Sequence, residues 1–246
     1  MWIPDLKKLF LIEKNMKHIA ALFALLGMST MSWAQVDPGT FSVIPRVGLN
    51  LSTISGESLA NDVGTMKSKY KAGAAAGVDL EYRISTPFAA SIGAYYSREG
   101  CNYKDNVLDQ RQVGTYNVFS RCYFTIDYLK IPVMARWYAT DKFSVGAGLQ
   151  AGVGLWNRTH TESQKVKVGE SGRYTYSTDI EKANVKGNGL RNVLWSVPVS
   201  VAVEYQRVIV DLRYSIPLSK VYQSDGKHPD GDERVKCWTI SVGYRI

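Results

Sequence analysis

The sequence has few of the residues from which most enzyme sites are built. Among its 246 residues are three cysteines and three histidines, and only His160 and His228 lie beyond the N-terminal segment. Neither histidine has a spacing that places it beside a serine and an aspartate, or within a metal-ligand motif. The sequence therefore predicts no catalytic residue, no cofactor and no metal site.

Long hydrophobic runs are also scarce. One short apolar run covers residues 19–28 and is followed by a cleavage-like pattern ending at Ala34. This arrangement predicts a signal peptide over residues 1–34, with Met16 as the true start, and one domain over residues 35–246. The alternative, a helical membrane anchor, needs about 20 apolar residues, and no stretch of the chain reaches that length.

An excess of one charge is present but modest. The formal net charge is +8, with 45% hydrophobic and 21% charged residues, which is typical of a folded domain. Many of the charges recur at every second position and on the same strand faces, so they are expected to pair with one another. The sequence therefore predicts no nucleic-acid partner.

What the chain does have is alternation with a period of two, clearest over residues 127–155. Positions 129 to 137 are apolar at every odd residue, while Lys130 and Arg136 lie on the opposite face. The alternation resumes from Phe143 to Leu155 against serine, glycine and glutamine. Each arm is about ten residues long, which is the length of a tilted strand that crosses a bilayer. The pattern predicts a transmembrane β-hairpin.

The same pattern recurs along the whole chain. It predicts eight strands, near residues 41–51, 70–82, 88–96, 127–138, 143–155, 195–205, 208–216 and 238–246. Long polar connections alternate with tight turns at Ser85, Thr140 and Gln206. Bacterial membrane barrels have short periplasmic turns and long external loops. The predicted fold is thus all-β, an eight-stranded antiparallel up-and-down transmembrane barrel with four external loops.

The aromatic residues indicate which face meets lipid. Tyrosine, tryptophan and phenylalanine lie near the ends of the apolar rows, as in the two aromatic girdles of a membrane barrel. The apolar face is therefore predicted to point outward. The alternative is a soluble, periplasmic, lipocalin-like carrier, in which the apolar face would point inward around a ligand.

The opposite face would line an interior that side chains nearly fill at this strand number. Buried charges need partners, so an internal ion-pair network is predicted and an open pore is not. Its members are Arg46, Asp79, Glu81, Lys130, Arg136, Glu204, Asp211, Arg213 and Arg245, with Lys71 as a further cation.

Several segments resemble one family. The runs at 127–133, 136–138 and 146–148 look like the central hairpin of the PorT-like outer-membrane β-barrel family of Bacteroidetes, and 46–50 and 95–100 are similar to other family segments. The resemblance covers the mature chain, and its motifs are structural. It implies a barrel in the cell outer membrane, while the secretion role of the family's namesake does not carry over.

Two loops carry further expectations. Cys101 and Cys122 bracket the second long loop, and an exported protein meets an oxidising compartment, so a disulfide is predicted there with Cys237 left as a thiol. In the third loop, residues 164–177 predict a hairpin that projects beyond the membrane. Its tyrosines and lysines suit an extracellular glycan or protein ligand, with solvated loop chemistry as the plainer interpretation.

The leading functional prediction is a non-enzymatic, monomeric outer-membrane barrel that acts as a structural or adhesive scaffold through its loops. The alternative from another class is a loop-rim hydrolase or acyltransferase, with His160 or His228 beside Asp225, Asp230 or Asp232. The acidic segment 225–233 also suits a divalent cation, although its glycines and proline suit a plain turn equally well.

Overall fold

The computed structural model describes residues 37–56, 58–61, 64–105, 112–186, 190–222 and 233–246. The predicted signal peptide over 1–34 lies outside these ranges. Within them the chain forms eleven strands: β1 Phe41–Ser55, β2 Ser58–Asn61, β3 Gly64–Lys69, β4 Lys71–Ser85, β5 Phe88–Tyr103, β6 Gly114–Tyr138, β7 Phe143–Val168, β8 Tyr174–Val185, β9 Val193–Tyr205, β10 Val208–Pro217 and β11 Arg234–Tyr244. No helix in the described ranges is long and apolar enough to cross a membrane.

Eight of these strands form a closed antiparallel ring, which confirms the predicted fold. The order around the ring is β1, β4, β5, β6, β7, β9, β10 and β11, and pairing of β11 with β1 closes it. The hairpin of β2 with β3 and the strand β8 lie outside the ring. Tight turns follow β4, β6 and β9, at the three predicted positions. We call this the turn end of the barrel, and the opposite end the loop end.

The two faces of the wall differ as predicted. On β1, Phe41 and Leu49 point outward and are 67% and 64% exposed, whereas Arg46 and Asn50 point inward and are 3% and 2% exposed. The same alternation continues around the ring, with valine, leucine and isoleucine on the outside of every strand. A soluble carrier needs the reverse arrangement, so the lipocalin-like alternative is wrong.

The strands at the loop end are longer than predicted. The predicted second loop, 98–121, is mostly strand, because β5 continues to Tyr103 and β6 begins at Gly114. In the third loop, β7 runs on to Val168 and pairs with β8, which confirms the predicted hairpin. The strands were predicted from rows of apolar residues that face lipid. At the loop end the outer face of the longer strands is polar, so these rows stop before the strands do.

Candidate functional site

The turn half of the barrel interior is occupied by charged side chains. Arg136 Nη2 donates a hydrogen bond of 3.0 Å to Asp211 Oδ2, and both side chains are nearly completely buried. Arg46 Nε lies 2.8 Å from Asp79 Oδ2 as an ion pair rather than an aligned hydrogen bond. Arg213 joins them, with Nε 3.5 Å from Asp211 Oδ1. The charges come from β1, β4, β6 and β10, so they connect strands across the ring.

Glycine provides the space that this network needs. A Cβ atom added at Gly93 would lie 2.2 Å from the carboxylate of Asp79, and one added at Gly146 would lie 3.1 Å from Arg136 Cγ. Small inward residues on β5 and β7 therefore make room for long side chains from facing strands.

A second cluster lies at the turn end. Arg245 grips Glu204 with two hydrogen bonds, of 2.7 Å from Nε and 2.9 Å from Nη2, and donates a third of 2.9 Å from Nη1 to Glu81. Tyr138 donates to the same Glu81 oxygen at 2.7 Å. Arg136 Nε, 3.6 Å from Glu81 Oε2, links the two clusters. Eight of the nine predicted network residues are thus connected.

The ninth, Lys130, forms a separate pair with Glu99. Glu99 was missed by the sequence reasoning because the predicted third strand ended before it. The alternation of β5 indicates the orientation of Glu99. Ser91, Tyr95 and Ser97 point inward, and Glu99 follows Ser97 by two residues on the same face. The added prediction for Lys71 was wrong: its ammonium group contacts the Phe124 carbonyl at 3.1 Å, the Thr125 hydroxyl and the Tyr123 ring.

The middle of the interior is polar and tightly filled. Asn50 Nδ2 donates to Ser97 Oγ at 2.9 Å, and Thr239 Oγ1 donates to Asn50 Oδ1 at 2.7 Å. Two cavities among these side chains measure about 30 Å³ each. Such a volume holds about one water molecule, so these cavities offer no room for a substrate.

The loop half of the interior is apolar, which the sequence reasoning did not foresee. We call this cluster the roof; its buried members are Ile54, Met66, Cys101, Tyr103, Cys122, Phe124, Ile126, Tyr128, Val221 and Val235. On the outside of the same level, Arg98 Nε donates to Asp127 Oδ1 at 2.7 Å. The polarity of the two faces is therefore reversed above Asp127.

The two cysteines of the predicted disulfide both lie in the roof. Cys101 is paired with Phe124 in the register of β5 and β6, so Cys122 is its diagonal neighbour on the same face. The two sulfur atoms are not bonded to each other in the structure, and Cys122 Sγ contacts the Ser120 carbonyl at 3.5 Å. The disulfide stays a prediction. Cys237 lies on β11 and is also buried.

Beyond the ring, β6, β7 and β8 form a three-stranded sheet, which we call the extension. Its polar centre is Glu162, with Lys182 Nζ at 3.2 Å and Arg121 Nη1 at 3.9 Å. Burial opposes ionisation of Glu162, but the hydrogen bond and charge of Lys182 and the charge of Arg121 outweigh it and lower the pKa of this carboxyl. The carboxylate thus holds together adjacent strands of the extension.

His160, one candidate of the enzymatic alternative, lies at the base of the extension. Its ring stacks on Tyr123 with centroids 4.7 Å apart, and Nδ1 lies 2.9 Å from Asn184 Oδ1. Nε2 lies 3.7 Å from Glu162. His228, Asp225, Asp230 and Asp232 lie outside the described residues, as does nearly all of the acidic segment. Among the residues that are described, no group of histidine, cysteine and carboxylate side chains has the arrangement of a metal site.

Comparison with known proteins places these features in context. The chain is similar to solved structures of the attachment invasion locus protein Ail of Yersinia pestis (12% identity, 85% of this chain and 99% of that chain, TM-score 0.39) and of OprG from Pseudomonas aeruginosa (12%, 85% and 98%, TM-score 0.38). Neisserial surface protein A is also similar (12%, 84% and 97%, TM-score 0.36). No curated protein matches significantly.

The family assignment comes from the sequence of the barrel itself. The family model for the outer membrane protein beta-barrel domain matches residues 33–223. That range includes seven of the eight ring strands, and it accords with the closed wall and its apolar outer face. The chain is located in the outer membrane and belongs to the outer membrane protein beta-barrel domain family.

Proposed function

We propose that this chain is a non-enzymatic outer-membrane barrel that carries a binding scaffold on the cell surface, and that the extension is the binding element. In this proposal the loop end faces outward and the turn end faces the periplasm, as in other bacterial barrels. The narrower resemblance to the PorT-like family of Bacteroidetes, the cleaved signal peptide and the monomeric state belong to the same proposal.

The observation that carries the proposal is the length of β6 and β7. They have 25 and 26 residues, whereas β10 and β11 have 10 and 11. A strand needs about 10 residues to cross the bilayer. β6 pairs with β5 as far as Tyr123 and β7 pairs with β8 from Thr159, so residues 114–122 of β6 and 159–168 of β7 lie in the extension. At about 3.3 Å per residue this is a strand length of about 30 Å. A sheet of that size serves no purpose in crossing the membrane.

The surface of the extension suits recognition of a large ligand. Tyr174 and Tyr176 on β8 are 38% and 57% exposed. Lys165 and Lys167 are exposed on β7, and Arg173 is exposed in the turn between the two strands. Tyrosine beside cationic groups is a combination that binds glycans and protein surfaces through stacking and hydrogen bonds. We therefore place the ligand, an extracellular glycan or protein, at the tip of this hairpin.

The interior supports the non-enzymatic part of the proposal. Its charges are directed at each other rather than into a cleft, and the cavities between them hold about one water molecule each. His160 forms a hydrogen bond with Asn184 and stacks on Tyr123, and neither neighbour is a nucleophile that the imidazole could activate. A loop-rim enzyme needs instead a base aimed at a nucleophile.

Binding to cells that display the protein tests the proposal. The hairpin tip, residues 166–175, is replaced by an Asn-Gly turn, and a second variant carries Tyr174→Ser and Tyr176→Ser. Both variants should lose binding to arrayed glycans and to immobilised extracellular matrix proteins, as measured by cell retention. Tyr205→Ser is the matched control, because Tyr205 is 66% exposed, more than either tyrosine of the tip, but lies at the turn end. Retention that is the same for all four proteins would refute the proposal.

A further inference from the structure

The wall of the barrel has one interruption near its loop end, between β7 and β9. Gly154 N donates to Asn192 O at 2.9 Å, which is the last backbone link between these two strands. Further along β7, towards the loop end, the strand pairs with β8, starting at Thr159 opposite Val185. Residues 155–158 of β7 therefore have no strand partner on this side among the described residues.

A crevice of about 210 Å³ occupies this interruption. Its lining includes the buried roof residues Ile126, Tyr128 and Val221, which form its back, and the exposed residues Trp156, Lys186 and Arg191, which form its mouth. It is seven times as large as either interior cavity, which measures about 30 Å³. The back of the crevice is thus apolar and its rim is cationic.

The two cations at the rim are Lys186 and Arg191, and both are exposed. Arg191 Nε donates to the Tyr222 carbonyl at 3.2 Å, which orients the guanidinium group. Within the part of the chain that the structure describes, neither Lys186 nor Arg191 forms an ion pair with a carboxylate. In the turn half of the interior, by contrast, Arg136 and Arg245 each contact two carboxylates. The crevice therefore has an electrostatic preference for an anion.

The position of the crevice relative to the membrane indicates which kind of anion reaches it. Trp156 is paired with Asp127, the position at which the outer face of β6 changes from apolar to polar. Trp156 and Leu155 are 69% and 42% exposed on this outer face. Exposed tryptophan beside aliphatic side chains is typical of the level of lipid headgroups. An anion that reaches the crevice from the bilayer is therefore the headgroup of a lipid, with its hydrocarbon chains attached.

We propose that the crevice binds the phosphate headgroup of an outer-membrane lipid. Lys186 and Arg191 contact the phosphate oxygens, the first carbons of the lipid lie against Ile126 and Val221, and the hydrocarbon stays in the bilayer beside Trp156 and Leu155. The volume suits this division, since 210 Å³ accommodates about seven groups of the size of water, at about 30 Å³ each. A whole lipid does not fit, but a phosphate and its adjoining carbons do.

The site has a steric test that leaves its charges in place. A Cβ atom at Gly154 would meet nothing closer than Asn192 O at 3.9 Å and Tyr128 Cε1 at 4.0 Å. Gly154→Phe should therefore fold with its ring in the crevice and exclude the lipid. Lys186→Gln with Arg191→Gln removes the charges and leaves the volume. Lys69→Gln with Lys104→Gln is the control, because both lysines are exposed at the loop end away from the crevice.

Native mass spectrometry of the purified protein in detergent, with phosphatidic acid or phosphatidylcholine added, measures the lipid retained. The native chain should retain one phosphatidic acid in preference to phosphatidylcholine. Both test variants should lose this preference about tenfold or more, the effect of losing one charge-assisted hydrogen bond, while the control keeps it. Equal retention of the two lipids by the native chain, or an equal loss in the control, would refute the proposal. Displacement of the lipid by an equimolar amount of inorganic phosphate would show a phosphate site rather than a lipid site and would also refute it.

Discussion

The two halves of β6 place their apolar side chains on opposite faces of the wall. From Leu129 to Trp137 the outward residues are apolar, and the inward ones include Lys130 and Arg136. From Tyr123 to Tyr128 the inward residues are aromatic or aliphatic, and the outward ones include Thr125 and Asp127. The strand keeps its pairing with β5 through both halves, so the backbone does not cause the difference. The difference comes from the surroundings, because one half lies in lipid and the other in water. Each half places its apolar side chains where water is absent.

The largest expected effect comes from breaking the ionic half. Asp211→Asn removes the carboxylate that contacts Arg46, Arg136 and Arg213 while preserving shape. It leaves three cations without their shared partner, and removal of one partner from a buried pair costs about 3–5 kcal/mol. Urea unfolding of the refolded barrel in lipid vesicles measures the free energy of unfolding.

Substitutions at the separate pair of Lys130 and Glu99 test whether unpaired charge destabilises the interior. Glu99→Leu alone should destabilise strongly because it strands Lys130, whereas Glu99→Leu with Lys130→Met should recover most of the loss. A double variant that is no more stable than the single one would mean that packing, and not charge pairing, dominates the interior.

The second prediction locates the boundary between the two halves. Val133 is 54% exposed on the outer face of β6, and an arginine there should cost about 2–4 kcal/mol because it meets the hydrocarbon. Thr115→Arg, at an exposed position of the same strand above Asp127, should cost about 0.5 kcal/mol or less, as a surface change in water does. The same unfolding experiment measures both variants. Similar losses at the two positions would contradict the assignment of the boundary near Asp127.

The third prediction concerns the apolar half, where Cys101 and Cys122 lie on one face. Diagonal neighbours across a strand pair have a separation of about 7–8 Å, whereas a disulfide needs Cβ atoms about 4 Å apart. The bond therefore requires a shift of β6 at Arg121, where a left-handed φ of 49° and a break in register already mark an irregularity. We expect the oxidised protein to be more stable by about 2 kcal/mol, at the low end of the usual range.

Thiol alkylation with and without reduction, followed by mass spectrometry, checks this. One reactive thiol before reduction, at Cys237, and three afterwards is the expected count. The control is Cys237→Ser, which should leave the bond between the other two intact. Three alkylated thiols in the unfolded, unreduced protein would show that the exported chain carries no disulfide.

The parts of the molecule that lipid surrounds were predictable, and the parts beyond it were less so. Eight strands could be found because a wall in lipid must alternate without exception, as in the row from Phe143 to Leu155. The predicted fourth strand begins at residue 127 and omits Phe124 and Ile126, because their parity is reversed for a strand in lipid. The predicted third strand ends at residue 96 and omits Glu99, because the outer face of β5 turns polar at Arg98. Which cation meets which carboxylate depends on the stagger of strands, so the pairing of Arg46 with Asp79 could not be deduced from alternation alone.

The smallest expected effect lies in the extension, where both cationic partners of Glu162 are exposed and water screens their charges. Ionic partners lower the pKa of Glu162, so its carboxylate stabilises the fold at pH values above the unfolded-state pKa, and this contribution is lost as the pH falls through the lower folded-state value. Hydrogen exchange of β8 backbone amides should therefore accelerate at acidic pH, relative to exchange in the ring strands, after correction for the intrinsic pH dependence. Glu162→Gln should remove this difference and Glu170→Gln, in the turn after β7, should not. An acid response that survives in Glu162→Gln would assign it to another group and leave Lys182 and Arg121 without the role given to them in holding the extension.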